Sequence, residues 1–383
     1  MPAPPTPSRA LAVQRLLTEH CSAPVTVDGW QPLEPWTVAR FQVEGAGAAR
    51  TAIAKWVRPG TGRTARRESW RPAAECAALR FLAEDAETRL APRVIAFDPA
   101  AGLLVLEDLA PRVALDTLLA RDGAAAHAER LTAFARALGR LGAVTAGRAD
   151  AYRSRRATLG PVDREAADTQ PFADHRQEGA RWATVLGVPP GARVSAELTR
   201  ADAVLSEPGP FLALSNGDAE ANNLLVHASG PADAPLIDFE AARFTHALAD
   251  AVCLYLPGPG WLSVGDPVAS GLAGRHRHAL AQGVPQAEDD RLFGFGLAAA
   301  CLSWALIRLR RFPALDARAR GDESRSQLVA TLEAAARTAS NHSSLPHLAG
   351  WADRIAATLR SRWPDADQDF TDPVRFPPYR RRG

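Results

Sequence analysis

Asp218, Asn223 and Asp238 are the residues whose types and spacing best suit chemistry. Asp218 and Asn223 fall in Ser215-Asn216-Gly217-Asp218-Ala219-Glu220-Ala221-Asn222-Asn223, after the apolar run Phe211 to Leu214 and before Leu224-Leu225-Val226. Asp238 ends a further apolar run, Pro235-Leu236-Ile237, and is followed by Phe239-Glu240. Short apolar runs bounded by Gly, Asn, Asp and Pro read as a hairpin, which puts Asp218 and Asn223 at its entry and Asp238 at its exit. Mg²⁺ takes oxygen ligands in octahedral geometry and is usually held by one or two protein groups plus nucleotide phosphates, a role that suits Asn223 and Asp238. The separate carboxylate of Asp218 is free to accept the proton of an attacking hydroxyl. Any one of these residues alone is more often a turn former. Three converging on one end of a small sheet point to phosphoryl transfer.

Asp-x-x-x-x-Asn followed by Ile-Asp at a strand end matches the signature set of kinases. Asn216-Gly217-Asp218 through Asn223, with Leu236-Ile237-Asp238-Phe239-Glu240, resembles the aminoglycoside phosphotransferase and choline kinase superfamily of small-molecule kinases. The first motif of that family usually reads His-Gly-Asp, and Asn216 stands here in place of the His; Asn keeps a donor that can brace the loop. The resemblance implies an α+β, bilobal protein-kinase-like fold with a small antiparallel sheet lobe, a larger helical lobe, and ATP and Mg²⁺ between them. It implies O-phosphorylation of a small hydroxyl compound such as a sugar, an amino alcohol or a natural product. Asp218 is then the catalytic base, and Asn223 and Asp238 the metal ligands. Glu240 reads equally as a neighbour of the metal site or as a cap of the next helix, and Asp250 as structural.

Several elements must position these groups. Arg9 to His20 reads as one amphipathic helix, and Val25 to Val27, Thr37 to Val43 and Thr51 to Val57 as three strands. Lys55, the only lysine among 45 basic residues, lies within the third strand. A compact ammonium on a flexible stem serves a phosphate differently from a guanidinium fork, and a strand lysine paired with a helix glutamate is what kinases use. Pro72 to Glu84 has a helical apolar pattern with Pro in its first turn, so Glu75 is the expected partner of Lys55 and Glu68 the alternative. A Gly-x-Gly-x-x-Gly loop is missing, and Asp28-Gly29-Trp30 is the nearest candidate. A P-loop is excluded because Trp56 follows the single lysine. The basic run Arg58 to Arg67 reads as a solvated connection that could reach phosphates.

Leu103 to Leu106 is a buried strand ending in Glu107-Asp108-Leu109. The resemblance makes this the hinge, where the Glu107 carbonyl and the Leu109 N–H read adenine. We place the lobe boundary there, with residues 1–109 as the nucleotide-binding lobe and 110–383 as the helical lobe carrying the catalytic loop and acceptor site. Ala124 to Arg148 reads as a helix with Leu131, Phe134, Leu138 and Leu141 on its core face. Ala151 to Pro210 reads as helices that could include a lid, and Pro364 to Gly383 as an irregular tail with Arg380 to Arg382 solvated.

Composition narrows the class further. The chain has 383 residues, 46% of them apolar, enough for two lobes with sizeable cores. Thirteen basic and 12 acidic residues precede Ala110 and 32 and 31 follow, so neither part has the basic excess of a nucleic-acid binder. The four cysteines are far apart, without zinc spacing, and read as thiols in a reducing compartment. With no signal pattern at the start, a cytoplasmic location is expected. Leu292 to Ile307, the longest apolar stretch, is shorter than a membrane span and reads as a core helix. A small-molecule acceptor is the expected partner, with no obligate protein partner evident. A nucleotide-binding pseudokinase is the alternative, whereas a protein kinase would need an activation segment after Asp238 that the chain does not contain.

Overall fold

The computed structural model describes residues 7–33, 37–45, 50–57, 70–160 and 172–383. The first region is a five-stranded antiparallel sheet in the order β1-β2-β3-β5-β4, formed by β1 (Val25–Leu33), β2 (Val38–Gly45), β3 (Thr51–Trp56), β4 (Val94–Asp98) and β5 (Leu103–Glu107). Side chains alternate between the faces of a strand, and the apolar pattern assigns each face. Ala39, Phe41, Ala52, Ala54, Leu103 and Val105 pack with Val13 and Leu17 of helix α1 (Pro7–Cys21) on one side. Ile53, Leu104 and Leu106 face the opposite side, toward helix α2 (Arg71–Arg80). Lys55 shares the face of Ile53 and is thereby turned toward α2.

Pro72 opens α2, and the run of Ala73, Ala74, Cys76, Ala77 and Ala78 lets the helix sit close to the sheet; all five are buried. Such small side chains cost little entropy in a helix and bury Glu75 with them. A π-helical turn over Phe81–Asp85 ends the segment.

After the hinge come β6 (Val113–Ala114), α3 (Leu115–Asp122), α4 (Ala128–Thr145), α5 (Ala149–Thr158), α6 (Ala173–Val185) and α7 (Ala192–Ser206). The predicted apolar face of α4 is buried at Leu131, Phe134, Leu138 and Leu141. Strands β7 (Leu212–Ser215), β8 (Leu225–Val226) and β9 (Arg243–His246) flank the loops that hold Asp218 and Asp238. Then follow α8 (Leu248–Tyr255), β10 (Trp261–Ser263), α9 (Leu272–Ala281), α10 (Asp290–Leu309), α11 (Phe312–Asp316), α12 (Glu323–Asn341), α13 (Pro346–Arg362) and β11 (Arg380–Arg381). Helix α10 alone is long and apolar enough to cross a membrane among the described residues, but it is mostly buried and packs on α6, α7, α8 and α12. The bilobal protein-kinase-like architecture is therefore present.

Two expectations need correction. Asp28-Gly29-Trp30 is no loop: it lies inside β1, where a bulge between Val27 and Gly29 shifts the pairing with β2. Its turn-like composition reports that bulge, which also favours Gly. The expected hairpin is present, since the runs around Leu224 and Leu236 pair antiparallel, while β7 pairs with β9 and β8 also with β6. Arg380 to Arg382 is not a free tail. β11 pairs with β10, Phe376 and Tyr379 are buried, Arg380 meets Glu323 at 2.9 Å, and Arg382 donates to Gln327 Oε1 at 3.1 Å. Burial of two aromatic rings, worth about 1.5–3 kcal/mol each, outweighs the solubility of the arginines. The basic run Arg58 to Arg67 and Glu68 lie outside the described residues.

Candidate active site

Lys55 Nζ donates to Glu75 Oε1 and to Asp238 Oδ1, both at 2.7 Å. Its side chain is 18% exposed, Glu75 3% and Asp238 32%, so the ammonium bridges a buried carboxylate and one open to the cleft. Burial by itself would lower the Lys55 pKa, but the two carboxylates more than offset it and hold the ammonium charged, above its ordinary value. The helical lobe is tied to α2 a second time by Arg71, whose Nη1 donates to Glu240 Oε1 at 2.6 Å. Glu240 thus has a partner that neither sequence reading of it anticipated.

The loop after β7 is held from three sides. Ser215 Oγ donates to Asp250 Oδ1 at 2.5 Å and accepts from the Gly217 N–H at 2.8 Å. Asp250 is buried, which pushes its carboxyl up to about 7, and its place behind Ser215 agrees with a structural part. Thr145 of α4 accepts from the Leu214 N–H at 3.0 Å, fixing β7 to the core helix. Gly217 has φ +83°, and a Cβ there would fall 2.5 Å from the Ala241 carbonyl oxygen, so both backbone and space demand glycine.

Asn216 does brace this loop. Its Nδ2 donates to the Ile237 carbonyl at 3.2 Å, and its Oδ1 accepts from the Asp218 N–H at 3.1 Å. One amide therefore ties the Asp218 loop to the strand end that carries Asp238. Asp238 itself adopts a left-handed conformation at φ +62°, a strained state for a residue with a Cβ and one that clusters at functional sites.

Asp218 is exposed. The concave surroundings desolvate it and raise its pKa; the Asn223 hydrogen bond opposes this, and the charges of Asp238 and Glu240 add to it. Asn223 Nδ2 donates to the Asp218 carbonyl at 2.8 Å and to Asp218 Oδ2 at 3.1 Å. That orientation turns the amide oxygen of Asn223 away from Asp218. Its backbone carbonyl accepts from the Ile237 N–H at 2.9 Å, which brings Asn223 beside the residue preceding Asp238. Among the described residues no cluster of three or more His, Cys, Asp or Glu could hold a metal unaided. One amide oxygen and one carboxylate fit a cation that takes its other ligands from phosphates and water, the usual state of nucleotide-bound Mg²⁺.

At the hinge, Asp108 takes both Arg40 Nε at 2.7 Å and Arg40 Nη2 at 3.2 Å, a bidentate pair joining β2 to the end of β5. Glu107 turns its carboxylate to the Arg93 N–H at 3.2 Å, so its side chain is engaged away from the backbone. Leu109 is partly buried.

Beside Asp218 lies a cavity of about 150 Å³, walled by Leu205, Val252, Cys253, Ala300, Trp304 and Ile307. Glu220 lines it together with Asp218 and escaped the sequence reading. Burial, with repulsion from Asp218 and against the pull of Arg308, pushes the Glu220 carboxyl up to about 8. Its only sequence signal was an acid flanked by alanines in the loop. A larger groove of about 1040 Å³ between the Glu87–Arg93 segment, the hinge and α4 contains none of Asp218, Asp238 and Glu220.

No protein-family model and no curated protein matches the chain. Solved structures that superpose on it include a Ralstonia eutropha protein assigned as an aminoglycoside phosphotransferase, with 15% identity over 91% of this chain and 98% of that one at a TM-score of 0.49. Choline kinase LicA from Streptococcus pneumoniae follows with 13% identity over 85% and 98% at 0.43. A choline/ethanolamine kinase family protein from Mesorhizobium loti has 17% identity over 87% and 92% at 0.41.

Proposed function

We propose that this protein is an ATP- and Mg²⁺-dependent phosphotransferase acting on a hydroxyl of a small molecule. The observation that carries the reading is the Lys55 ammonium held at 2.7 Å from both Glu75 and Asp238. Residues 1–109 form the nucleotide-binding part and 110–383 the part that supplies the base and acceptor site. The Glu107 carbonyl and Leu109 N–H receive the adenine edge. Lys55, steadied by Glu75, neutralises phosphate oxygens, and the Asn223 oxygen and Asp238 carboxylate hold Mg²⁺. The metal supplies charge neutralisation on the phosphates.

Asp218 accepts the proton of the acceptor hydroxyl as its oxygen attacks the terminal phosphorus and the bond to the ADP oxygen breaks. The raised pKa of Asp218 improves it as a base. Catalysis in such a site is mostly positioning and charge stabilisation, which is what the hydrogen bonds around Asn216 and Asn223 provide. The four cysteines are unpaired, which supports a cytoplasmic location. The test is Mg²⁺-dependent ATP consumption against a library of hydroxylated metabolites and antibiotics. Turnover with one acceptor class removes the pseudokinase alternative, and turnover with none removes this proposal.

A further inference from the structure

Four arginines meet where α10 ends. Arg308 Nη2 and Arg382 Nη1 donate to the same oxygen, Gln327 Oε1, at 2.8 Å and 3.1 Å. Arg310 and Arg311 follow on the last turn, their N–H groups donating to the Leu306 and Arg308 carbonyls. Arg382 is brought in from the far end of the chain by β11 and by its own N–H, which donates to the Gly260 carbonyl at 3.0 Å. All four are half-buried, and Arg310 Nε is buried with no hydrogen-bond partner among the described residues.

Their charge has no counterpart. Neighbouring Arg318 and Arg325 are paired, with Asp322 at 3.1 Å and Asp365 at 3.5 Å, whereas Arg308, Arg310, Arg311 and Arg382 form no ion pair among the described residues. Burial first, and then the charges of Arg311, Arg382 and Arg310, push the Arg308 pKa down to about 10 against the pull of Glu220. Arg311 is lowered likewise by burial and by Arg318, Arg382 and Arg310. Glu220 does not answer the cluster, because burial pushes its carboxyl up to about 8 and leaves it mostly protonated at pH 7. A helix C-terminus favours cations, but its dipole acts on solvated side chains as well. It does not require four guanidinium groups to gather half out of water, where unanswered charge is costly.

The cluster continues one wall of the cavity beside Asp218. Trp304 and Ile307 of α10 line that cavity, and helix residues three, four and seven apart share a face. Arg308 is four residues after Trp304, and Arg310 and Arg311 are three and four after Ile307. The apolar face that borders Asp218 therefore turns basic within the next helical turn. Resting on the phosphotransferase reading of this cavity, we propose that the acceptor is an anionic hydroxyl compound, its carboxylate or phosphate group held by the four arginines and its hydroxyl presented to Asp218. Guanidinium forks match the oxygens of either anion. The carbon frame lies along Trp304 and Ile307, and a cavity near 150 Å³ takes about one ring. A polycation is repelled by the same cluster.

The test uses one benzyl alcohol frame carrying, in the para position, a carboxylate, a phosphate ester, a methyl or an aminomethyl group. Binding to the full chain is measured by calorimetry with the wild type and with the double variant Arg310→Gln, Arg311→Gln. Neither side chain makes a hydrogen bond among the described residues, so the substitutions leave the contacts of the fold in place. The wild type should bind one or both anions about 10-fold to 100-fold more tightly than the methyl compound, the range for a hydrogen bond to a charged group. The double variant should lose most of that margin, and the tighter anion names the group that the cluster takes. Equal affinity for the anionic and methyl compounds, tighter binding of the aminomethyl compound, no binding of any, or an unchanged margin in the double variant overturns the proposal. Phosphate transfer is read separately: arginine-dependent anion binding without transfer to any acceptor would sink the phosphotransferase reading and leave this site standing. Transfer to neutral or cationic acceptors that is indifferent to the double variant would do the reverse.

Discussion

Lys55 and Asp238 are 183 residues apart in the chain and 2.7 Å apart in space. The strand lysine comes from the sheet and the aspartate from the helical part, so their contact ties the sheet to the segment that follows Ile237. Lys55→Arg keeps the charge but exchanges a point donor for a planar fork. Turnover should fall nearly as far as in Lys55→Ala; if both variants turn over at the wild-type rate, Lys55 has no part in the reaction.

Asp218 makes no ion pair among the described residues and is free to take a proton. Asp218→Asn should lower kcat by about 10²–10⁴-fold with nucleotide affinity nearly unchanged. Steady-state kinetics together with nucleotide titration separate the two effects, and wild-type kcat in the variant would end the assignment of the base.

Asn223 and Asp238 are the two oxygen donors proposed for the metal. Asp238→Ala should abolish the tightening of ATP binding by Mg²⁺, and Asn223→Ala should weaken it, because each removes a hard oxygen ligand. Calorimetry with and without Mg²⁺ reads this directly. Unchanged tightening in both variants would place the metal elsewhere.

Much of this site was legible because its signals are local. Asp218 to Asn223 and Ile237-Asp238 are short motifs, and Lys55 and Glu75 stood out by residue choice and by strand and helix pattern. What stayed hidden depends on long-range packing. Nothing near Arg71 points to Glu240, and nothing near Arg40 points to Asp108. Glu220 comes against Gly258 only in the fold, and the arginines of the tail read as solvated because Tyr379 and Phe376, which anchor them, carry no periodic pattern. Asp28-Gly29-Trp30 misled for the opposite reason, since a strand bulge and a turn favour the same residues.

Burial makes the stability pH-dependent in a way one substitution can isolate. His276 is fully buried, and desolvation lowers its pKa from 6.5 to about 4. The unfolded chain therefore takes up a proton that the folded one refuses, so the contribution of His276 is whole above pH 6.5 and is lost as pH falls toward 4, by about 3 kcal/mol at most. Asp250 and Glu220, raised by burial, push the other way, so the wild-type curve mixes both. The stability at pH 5 relative to that at pH 7, read from urea midpoints, should be higher in His276→Gln than in the wild type, and an equal difference would refute the buried neutral imidazole.

The most direct test of the central claim is detection of the product. Wild-type protein and Asp218→Asn are incubated with Mg²⁺-ATP and the hydroxylated library, and acceptors are read by mass spectrometry for a gain of one phosphate. A phosphorylated acceptor is expected with the wild type, strongly reduced with Asp218→Asn and absent without Mg²⁺. ATP bound but never transferred to any acceptor, or transfer that Asp218→Asn leaves intact, would contradict it.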